Sequence, residues 1–311
     1  MRLTHGASDA QLPPVALTVG NFDGIHRGHQ AMLQRVLATA RARGLQSCVL
    51  TFEPHPREFF AAHAAPTRLT SLREKLELLT AHGVERTHVQ RFERRFASLA
   101  PEAFVEEILA KRLRARWILI GEDFRFGAKR AGDVPLLLRL GSQYGYEVEV
   151  LPAVTRAGVR VSSSAVRAAL AAGDLAGAEA LLGRPYGISG RVVHGRKLGR
   201  ELGFATANVQ LKHNRPPLTG IYAVRVHGVG TASRPAVASL GVRPTITASG
   251  RAVLEVHLFD FSADLYGAHM RVEFLHKIRD EEKYSDLGAL KAQIERDCEA
   301  ARTFLLESRN A

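Results

Sequence analysis

The chain has 311 residues, 46% hydrophobic and 24% charged, the balance of a soluble globular protein long enough for two domains. Lysine and arginine outnumber aspartate and glutamate by 43 to 31, a formal charge of +12, so the chain must meet an anionic partner (nucleotide, nucleic acid or membrane surface) or carry the excess as solubility. Cys48 and Cys298 are too few and too far apart for a disulfide scaffold or a Cys-rich zinc site and fit a reducing cytoplasm. The first residues have no apolar core of signal-peptide length, and no run approaches the roughly 20 apolar residues of a membrane span.

In chain order, the first half alternates short β-rich runs with helical patterns. Val15–Val19, Ser47–Phe52, His88–Phe92, Trp117–Gly121 and Glu147–Leu151 read as strands. Between them, Gln30–Arg43 places Met32, Leu33, Val36, Leu37 and Ala40 on one helical face. Ser71–His82 and Pro101–Arg112 carry similar stripes behind a capping residue or proline. Such alternation predicts an α/β domain, a parallel sheet with helices on both faces. After Ala165, two short helices broken at Gly173-Asp174 end near Leu182. The stretch GRPYGISG then marks a domain boundary, placing residues 1–184 in one domain and 185–311 in the next.

The second half is all β. Gly187–Val193, Gly220–Val226, Val237–Leu240, Ala252–Phe259 and Met270–Phe274 read as strands separated by turns, a small barrel or sandwich. Ser285 or Asp286 caps a last helix, with Leu287, Leu290, Ile294, Ala301 and Phe304 as its buried face.

Four stretches of the first half carry chemistry. GNFDGIHRGH (Gly20–His29) follows the first strand and opens a helix, the place where open parallel sheets bind ligands. Gly24 and Gly28 let backbone approach a ligand closely, the helix start offers free N–H groups to phosphate, and His26 and His29 can bond phosphate oxygens. A helix N-terminus disfavours imidazolium, so both rings are expected to be neutral before a polyphosphate binds. Zinc shared by the two histidines is the competing reading; no third ligand stands at zinc-site spacing. The other stretches are TFEPHP (Thr51–Pro56), GEDFRFG (Gly121–Gly127) and VSSSAVR (Val161–Arg167), the last placing hydroxyls and Arg167 at a helix start.

In the β half, HGRKLGRELGFATAN (His194–Asn208) combines Gly195 and Gly199 with Arg196, Lys197 and Arg200, the makings of a loop that closes over phosphates. Thr206 and Asn208 are oxygen donors on the same side of an extended chain, a hard set suited to Mg²⁺ with ATP. In AVLEVHLFDF (Ala252–Phe261), alternation puts Leu254, Val256 and Leu258 on one face and Val253, Glu255, His257 and Phe259 on the other. A glutamate on so apolar a face is either exposed or functional.

The His-x-Gly-His segment resembles the signature of the nucleotidylyltransferase superfamily, which implies attack on the α-phosphate of a nucleoside triphosphate. Together with TFEPHP, GEDFRFG and VSSSAVR it resembles, in order, the FMN adenylyltransferase half of the prokaryotic bifunctional riboflavin kinase/FAD synthetase family. HGRKLGRELGFATAN, GIYAV, LGVRPTI, LEVHLFDF and IRDEEKY are similar, in order, to that family's riboflavin kinase half. The resemblance implies a Rossmann-like nucleotidylyltransferase domain followed by a six-stranded riboflavin-kinase β-barrel with a terminal helix. It implies ATP-dependent phosphorylation of riboflavin to FMN in the barrel, and adenylylation of FMN to FAD with release of pyrophosphate in the first domain.

By the resemblance, Asn21, His26, Gly28, His29, Ser163, Ser164 and Arg167 belong to the ATP side of the first site, and Asp123, Phe124 and Phe126 lie near nucleotide and flavin. Gly195 and Arg200 serve ATP in the barrel, Thr206 and Asn208 the metal, and Glu255 is the general base. The implied small molecules are riboflavin, FMN, FAD and ATP, with Mg²⁺; neither nucleic acid nor membrane is implied, and the expected state is a monomer or weak oligomer. The chain departs from the family at Ser164 (usually threonine), Ala205 (usually proline) and Ser239 (often asparagine). These changes keep open a chain with one active half. The charge keeps open a nucleic-acid-binding protein, although the basic residues are scattered and no nucleic-acid module is recognised.

Overall fold

The computed structural model describes residues 1–5, 12–195, 202–211, 215–242 and 252–310. Contacts divide the chain into two compact units. One comprises Met1–Pro66 and Leu72–Ser162, the other Thr67–Ser71 and Ser163–Ala311. The boundary expected at 184/185 falls within the second unit.

The first unit contains β1 (Arg2–His5), β2 (Val15–Val19), α1 (Arg27–Arg43), β3 (Gln46–Glu53), α2 (Pro56–Phe60), α3 (Leu72–Ala81), β4 (Arg86–Arg91), α4 (Arg94–Ala97), α5 (Pro101–Ala103), β5 (Ala115–Gly121), α6 (Val134–Tyr144) and β6 (Glu147–Leu151), with a short hairpin of β7 (Thr155–Arg156) and β8 (Val159–Arg160). The six-stranded sheet runs β1-β4-β3-β2-β5-β6 with every pair parallel. The chain travels outward from β2 through β3 and β4, then returns to the other side of β2 as β5 and β6. Strand order therefore reverses beside β2, and the crevice past its carboxyl end is where such sheets bind ligands.

All five residues of β2 are buried, as a strand covered on both faces requires. On one face, Ala16, Trp117 and Leu119 meet Val36 and Ala40 of α1, and Val49 meets Leu33 and Leu79. On the other, Leu17, Cys48 and Leu50 join Ile108, Leu109, Leu137 and Leu140. The helices thus cover both faces, as the alternation predicts.

Three local differences from the sequence reading have clear causes. Helix α1 begins at Arg27 rather than at Gln30, because His26 is its cap and accepts the N–H of His29. The stripe expected over Pro101–Arg112 does bury Phe104, Val105, Ile108 and Leu109, but from Phe104 to Arg112 the turns are π-helical. Helix α6, which the sequence reading does not include, is capped by Asp133, whose side chain accepts the N–H of Leu136.

The second unit holds α7 (Ser163–Ala171), α8 (Leu175–Leu182), six strands and α9 (Leu287–Asn310). The strands are β9 (Gly187–Val193), β10 (Ala207–Val209), β11 (Gly220–His227), β12 (Arg234–Val242), β13 (Ala252–Leu258) and β14 (His269–Arg279). They close into an antiparallel barrel, β10-β13-β12-β11-β14-β9. The barrel buries Tyr222, Val224, Leu240, Leu254, Val256, Met270, Val272 and Phe274.

Helix α9 sets Cys298, Ala301 and Leu305 against Ile221, Ala223, Val237 and Phe259, with Ile294 and Phe304 partly buried. Asp286 caps it, accepting the N–H of Ala289 at 2.8 Å. Leu287, assigned above to the buried face, is 57% exposed, because it is the first residue of the helix and precedes the contact. Among the described residues no helix is long and apolar enough to cross a membrane.

Candidate functional sites

The first site starts where β2 ends. The Gly20 N–H donates to Leu50 O at 3.0 Å, holding the exit beside β3. The chain then turns through Phe22 (φ 49°), Gly24 (φ 83°) and Ile25 (φ 41°). Phe22 and Ile25 are fully buried. Positive φ costs a non-glycine residue on the order of 1–3 kcal/mol, and burial of both side chains holds the loop in this shape.

At the helix start, the His26 and His29 rings stack with centroids 3.7 Å apart, and Phe22 lies 4.8 Å from His29. His26 Nδ1 accepts the His29 N–H at 3.3 Å. A neutral imidazole that accepts at Nδ1 carries its proton at Nε2, which leaves that atom as a donor. The Nδ1 of His29 is buried and has no hydrogen-bond partner among the described residues, and the ring's pKa is held well below 6.5. Burial is the first cause; electrostatic repulsion from neighbouring His26 and then from Lys75 adds to it. The neutral state expected for His29 is thus present, but its first cause is desolvation rather than the helix dipole.

Beside this loop lies a cavity of about 670 Å³. Asn21, Asp123, Phe124 and Phe126, all singled out in the sequence, line it. So do Phe52, His55 and Pro56 of TFEPHP. Phe124 and Phe126 stack at 5.5 Å, and Phe126 meets Phe104 at 5.5 Å. Gly127 (φ 70°) lets the loop close on Pro101, whose atoms an added Cβ would meet at 2.7 Å. Asp123 is exposed and paired with Arg160. The result is an aromatic slot with Arg57, Arg125, Lys129 and Arg130 in its lining, suited to a flat ring system bearing phosphate.

The helix start at Ser163 is described with the second unit. Ser163 is half-buried and Ser164 exposed, and Arg167 Nε donates to Thr67 O at 2.5 Å. The segment 67–71 is held again where Tyr186 Oη donates to Leu69 O at 3.2 Å.

The barrel has its own cavity, of about 350 Å³, and Thr206, Asn208 and Glu255 all line it. Register explains the convergence. Asn208 of β10 is the cross-strand partner of Glu255 of β13, and Ser239 of β12 is its partner on the other side. Leu254, Val256 and Leu258 are buried while Glu255 and His257 are intermediate, the alternation read from the sequence. A Cβ at Gly195 would collide with the Asn208 amide, so only glycine allows this approach. His257 Nδ1 lies 2.9 Å from Ala205 O. This bond holds the turn before Thr206 where the family usually has proline. On the other side of that turn is a second cavity of about 290 Å³, with Ala205, Thr206, Leu258, Phe261 and Tyr266 in its lining. Arg200 lies outside the described residues.

Several residues in or near the two sites carry no signal in the sequence. Phe60, Phe92 and Phe96 at the aromatic cavity carry no motif and come together only by folding. Lys75, 5% exposed, donates to Thr51 Oγ1 at 3.3 Å and reads in sequence as a surface helix residue. Arg279 and Asp297 of the barrel cavity come from a strand end and the terminal helix. Among the described residues no group of three His, Cys, Asp or Glu could hold a metal ion.

A Rossmann-like sheet with a His-x-Gly-His helix start, followed by a closed barrel with its own acidic cavity, defines a two-domain nucleotide-dependent transferase. The FAD synthetase family matches residues 8–165 and the riboflavin kinase family residues 182–305. The bifunctional riboflavin kinase/FMN adenylyltransferase of Escherichia coli strain K12 is 49% identical over 98% of this chain and 97% of its own length. The protein of that name from Pseudomonas fluorescens is 48% identical over 94% of this chain and 93% of its own. A crystal structure described as a macrolide-efflux protein from Streptococcus pneumoniae has a TM-score of 0.80 and 31% identity, covering 96% of this chain and 98% of that one. The chain belongs to the bifunctional riboflavin kinase/FMN adenylyltransferase family, with an FAD synthetase domain and a riboflavin kinase domain.

Proposed function

We propose that residues 1–184 form the FMN adenylyltransferase module and residues 185–311 the riboflavin kinase module, each with its own phosphate-handling site. In the first, Asn21, Gly28 and the start of α1 receive ATP, and the Nε2–H of His26 donates to its phosphates. His29 remains neutral until the polyphosphate supplies negative charge beside it. Ser163, Ser164 and Arg167 are assigned to the same nucleotide by the family resemblance. The aromatic slot with Asp123, Phe124 and Phe126 takes the flavin. An oxygen of the FMN phosphate attacks the α-phosphorus of ATP, the bond to the β-phosphate bridge breaks, and pyrophosphate leaves. The phosphate is already a nucleophile, so catalysis is alignment and charge stabilisation.

In the barrel, an alcohol must be made nucleophilic. Glu255 takes the proton of the ribityl 5′-hydroxyl as that oxygen attacks the γ-phosphorus, and ADP leaves. Thr206 and Asn208 offer hard oxygens that fit Mg²⁺. When bound, the ion neutralises charge on the phosphates of ATP. Gly195 and Arg200 are assigned to the loop over those phosphates. Because Thr206 borders two cavities, the flavin and the nucleotide have separate rooms that meet at the proposed metal position.

The observation that carries this reading is the meeting of Thr206 and Asn208 with Glu255, distant from them in sequence, in one cavity. The handled molecules are riboflavin, FMN, FAD and ATP. The reading needs neither nucleic acid nor membrane, and places a monomer or weak oligomer in the cytoplasm, where the free thiols Cys48 and Cys298 are at home. The test is incubation with riboflavin and Mg-ATP followed by chromatographic separation of flavins. FMN and FAD together are expected. FMN alone leaves only the kinase, FAD made only from supplied FMN leaves only the adenylyltransferase, and no conversion of either flavin overturns the proposal.

A further inference from the structure

Arg279 ends β14 and lines the cavity that holds Glu255, Thr206 and Asn208. Its guanidinium is held by Asp297 of the terminal helix, which lines the same cavity. Nε donates to Asp297 Oδ1 at 2.8 Å and one terminal nitrogen donates to Asp297 Oδ2 at 2.6 Å. The other terminal nitrogen donates to Asp280 O at 2.9 Å. Asp297 is 4% exposed, and Gln293, one turn earlier, donates to its Oδ1 at 2.9 Å. The Tyr284 ring lies 5.8 Å from the guanidinium carbon.

A guanidinium has five N–H donors. Among the described residues these contacts engage three, which leaves one N–H on each terminal nitrogen to offer an anion. A buried, bidentate carboxylate with its own support from Gln293 fixes a plane; a helix needing only cohesion is served by apolar residues, as α9 is at Ala301 and Leu305.

We propose that Asp297, supported by Gln293, is a positioning residue for the kinase reaction: it holds Arg279 ready for the phosphoryl group passing from ATP to the flavin. An unrestrained arginine would lose conformational freedom at the moment of transfer; here that ordering is done during folding. Riboflavin itself carries no anion, so the loss of this restraint falls on the rate of transfer rather than on riboflavin binding. The inference rests on the barrel being the riboflavin-phosphorylating site.

The test is a double-mutant cycle on the full chain with Asp297→Asn, Arg279→Ala and both together, following FMN formation from riboflavin. Asp297→Asn should lower kcat by about 10- to 100-fold, the cost of a slightly misplaced group, with KM for riboflavin within about twofold. In the Arg279→Ala background the same change should cost nothing further, because its target is gone. FAD formation from supplied FMN, which does not use these residues, reports that the chain is folded. Independent losses that multiply in the double variant, or an unchanged kcat in Asp297→Asn, would overturn the positioning role. Wild-type protein that makes FAD from FMN but no FMN from riboflavin would instead remove the kinase reading beneath it. Should Asp297→Asn reduce FAD formation as well, Gln293→Leu provides the milder perturbation. It should lower kcat for FMN formation by several-fold with FAD formation intact, and equal losses in both reactions would overturn the proposal.

Discussion

Replacement of Gly28 by alanine should separate stability from activity. Gly28 is the second residue of α1, where alanine is favoured over glycine by up to about 1 kcal/mol in a helix interior and less near an end. An added Cβ would lie 3.2 Å from Cε1 and Nδ1 of His26 and 3.6 Å from Val161 O. Carbon contacts are most favourable at about 3.5–4.0 Å, so the His26 ring must withdraw by roughly 0.3–0.8 Å. Two things oppose that movement: the ring stacks on His29 at 3.7 Å, and its Nδ1 accepts the capping N–H at an already long 3.3 Å. A displacement of this size in a group aimed at a phosphate costs about 10- to 100-fold in rate. The expected outcome is FAD formation from FMN reduced by that factor, riboflavin phosphorylation unchanged, and a Tm held or raised by about 1–2 °C. Coupled assays of the two steps and a thermal melt suffice. A Gly28→Ala protein that adenylylates FMN at the wild-type rate would refute the geometric role given to the glycine.

Three further outcomes follow from the same geometry. His29→Ala should lower FAD formation by about 10²–10³, the usual loss for one charge-stabilising donor, measured with supplied FMN so that the kinase step is bypassed. Glu255→Gln keeps the shape of β13 and removes the base; FMN formation should fall by about 10²–10⁴ while supplied FMN is still converted to FAD. Buried His88 has a pKa lowered to about 4 by burial and then by Arg112, so from about pH 6.5 downward the unfolded chain takes up a proton that the folded chain refuses. Its contribution is complete above pH 6.5 and lost as pH falls toward 4, on the order of 3 kcal/mol in all. His88→Gln should flatten the fall in Tm between pH 7 and 4; a parallel pair of melting curves would show that His88 is not the cause.

The sequence by itself determined the elements whose burial is periodic. Val15–Val19 is legible as a two-sided strand because every residue in it is apolar or small, and Ala252–Phe259 as a one-sided strand because its residues alternate. The motif at Gly20–His29 is legible because glycine and histidine at a strand-to-helix junction have few other uses. Strand β1 is not legible in the sequence, since RLTH has no apolar alternation; it is an edge strand held by pairing with β4. The three-residue β10 is too short to show a period, yet it carries Asn208 opposite Glu255.

Only the tertiary structure decided which residues share a site. Barrel closure brings Asn208, Ser239 and Glu255 into register across three strands, and α9 then adds Asp297 beside Arg279. His26 and His29 are three apart in any helix, but stacking and a neutral ring come from burial among Phe22, Lys75 and the sheet. The local code specifies direction and period along the chain. Cavities, cross-strand partners and lowered proton affinities depend on what water is excluded from, and that is fixed only when distant segments meet.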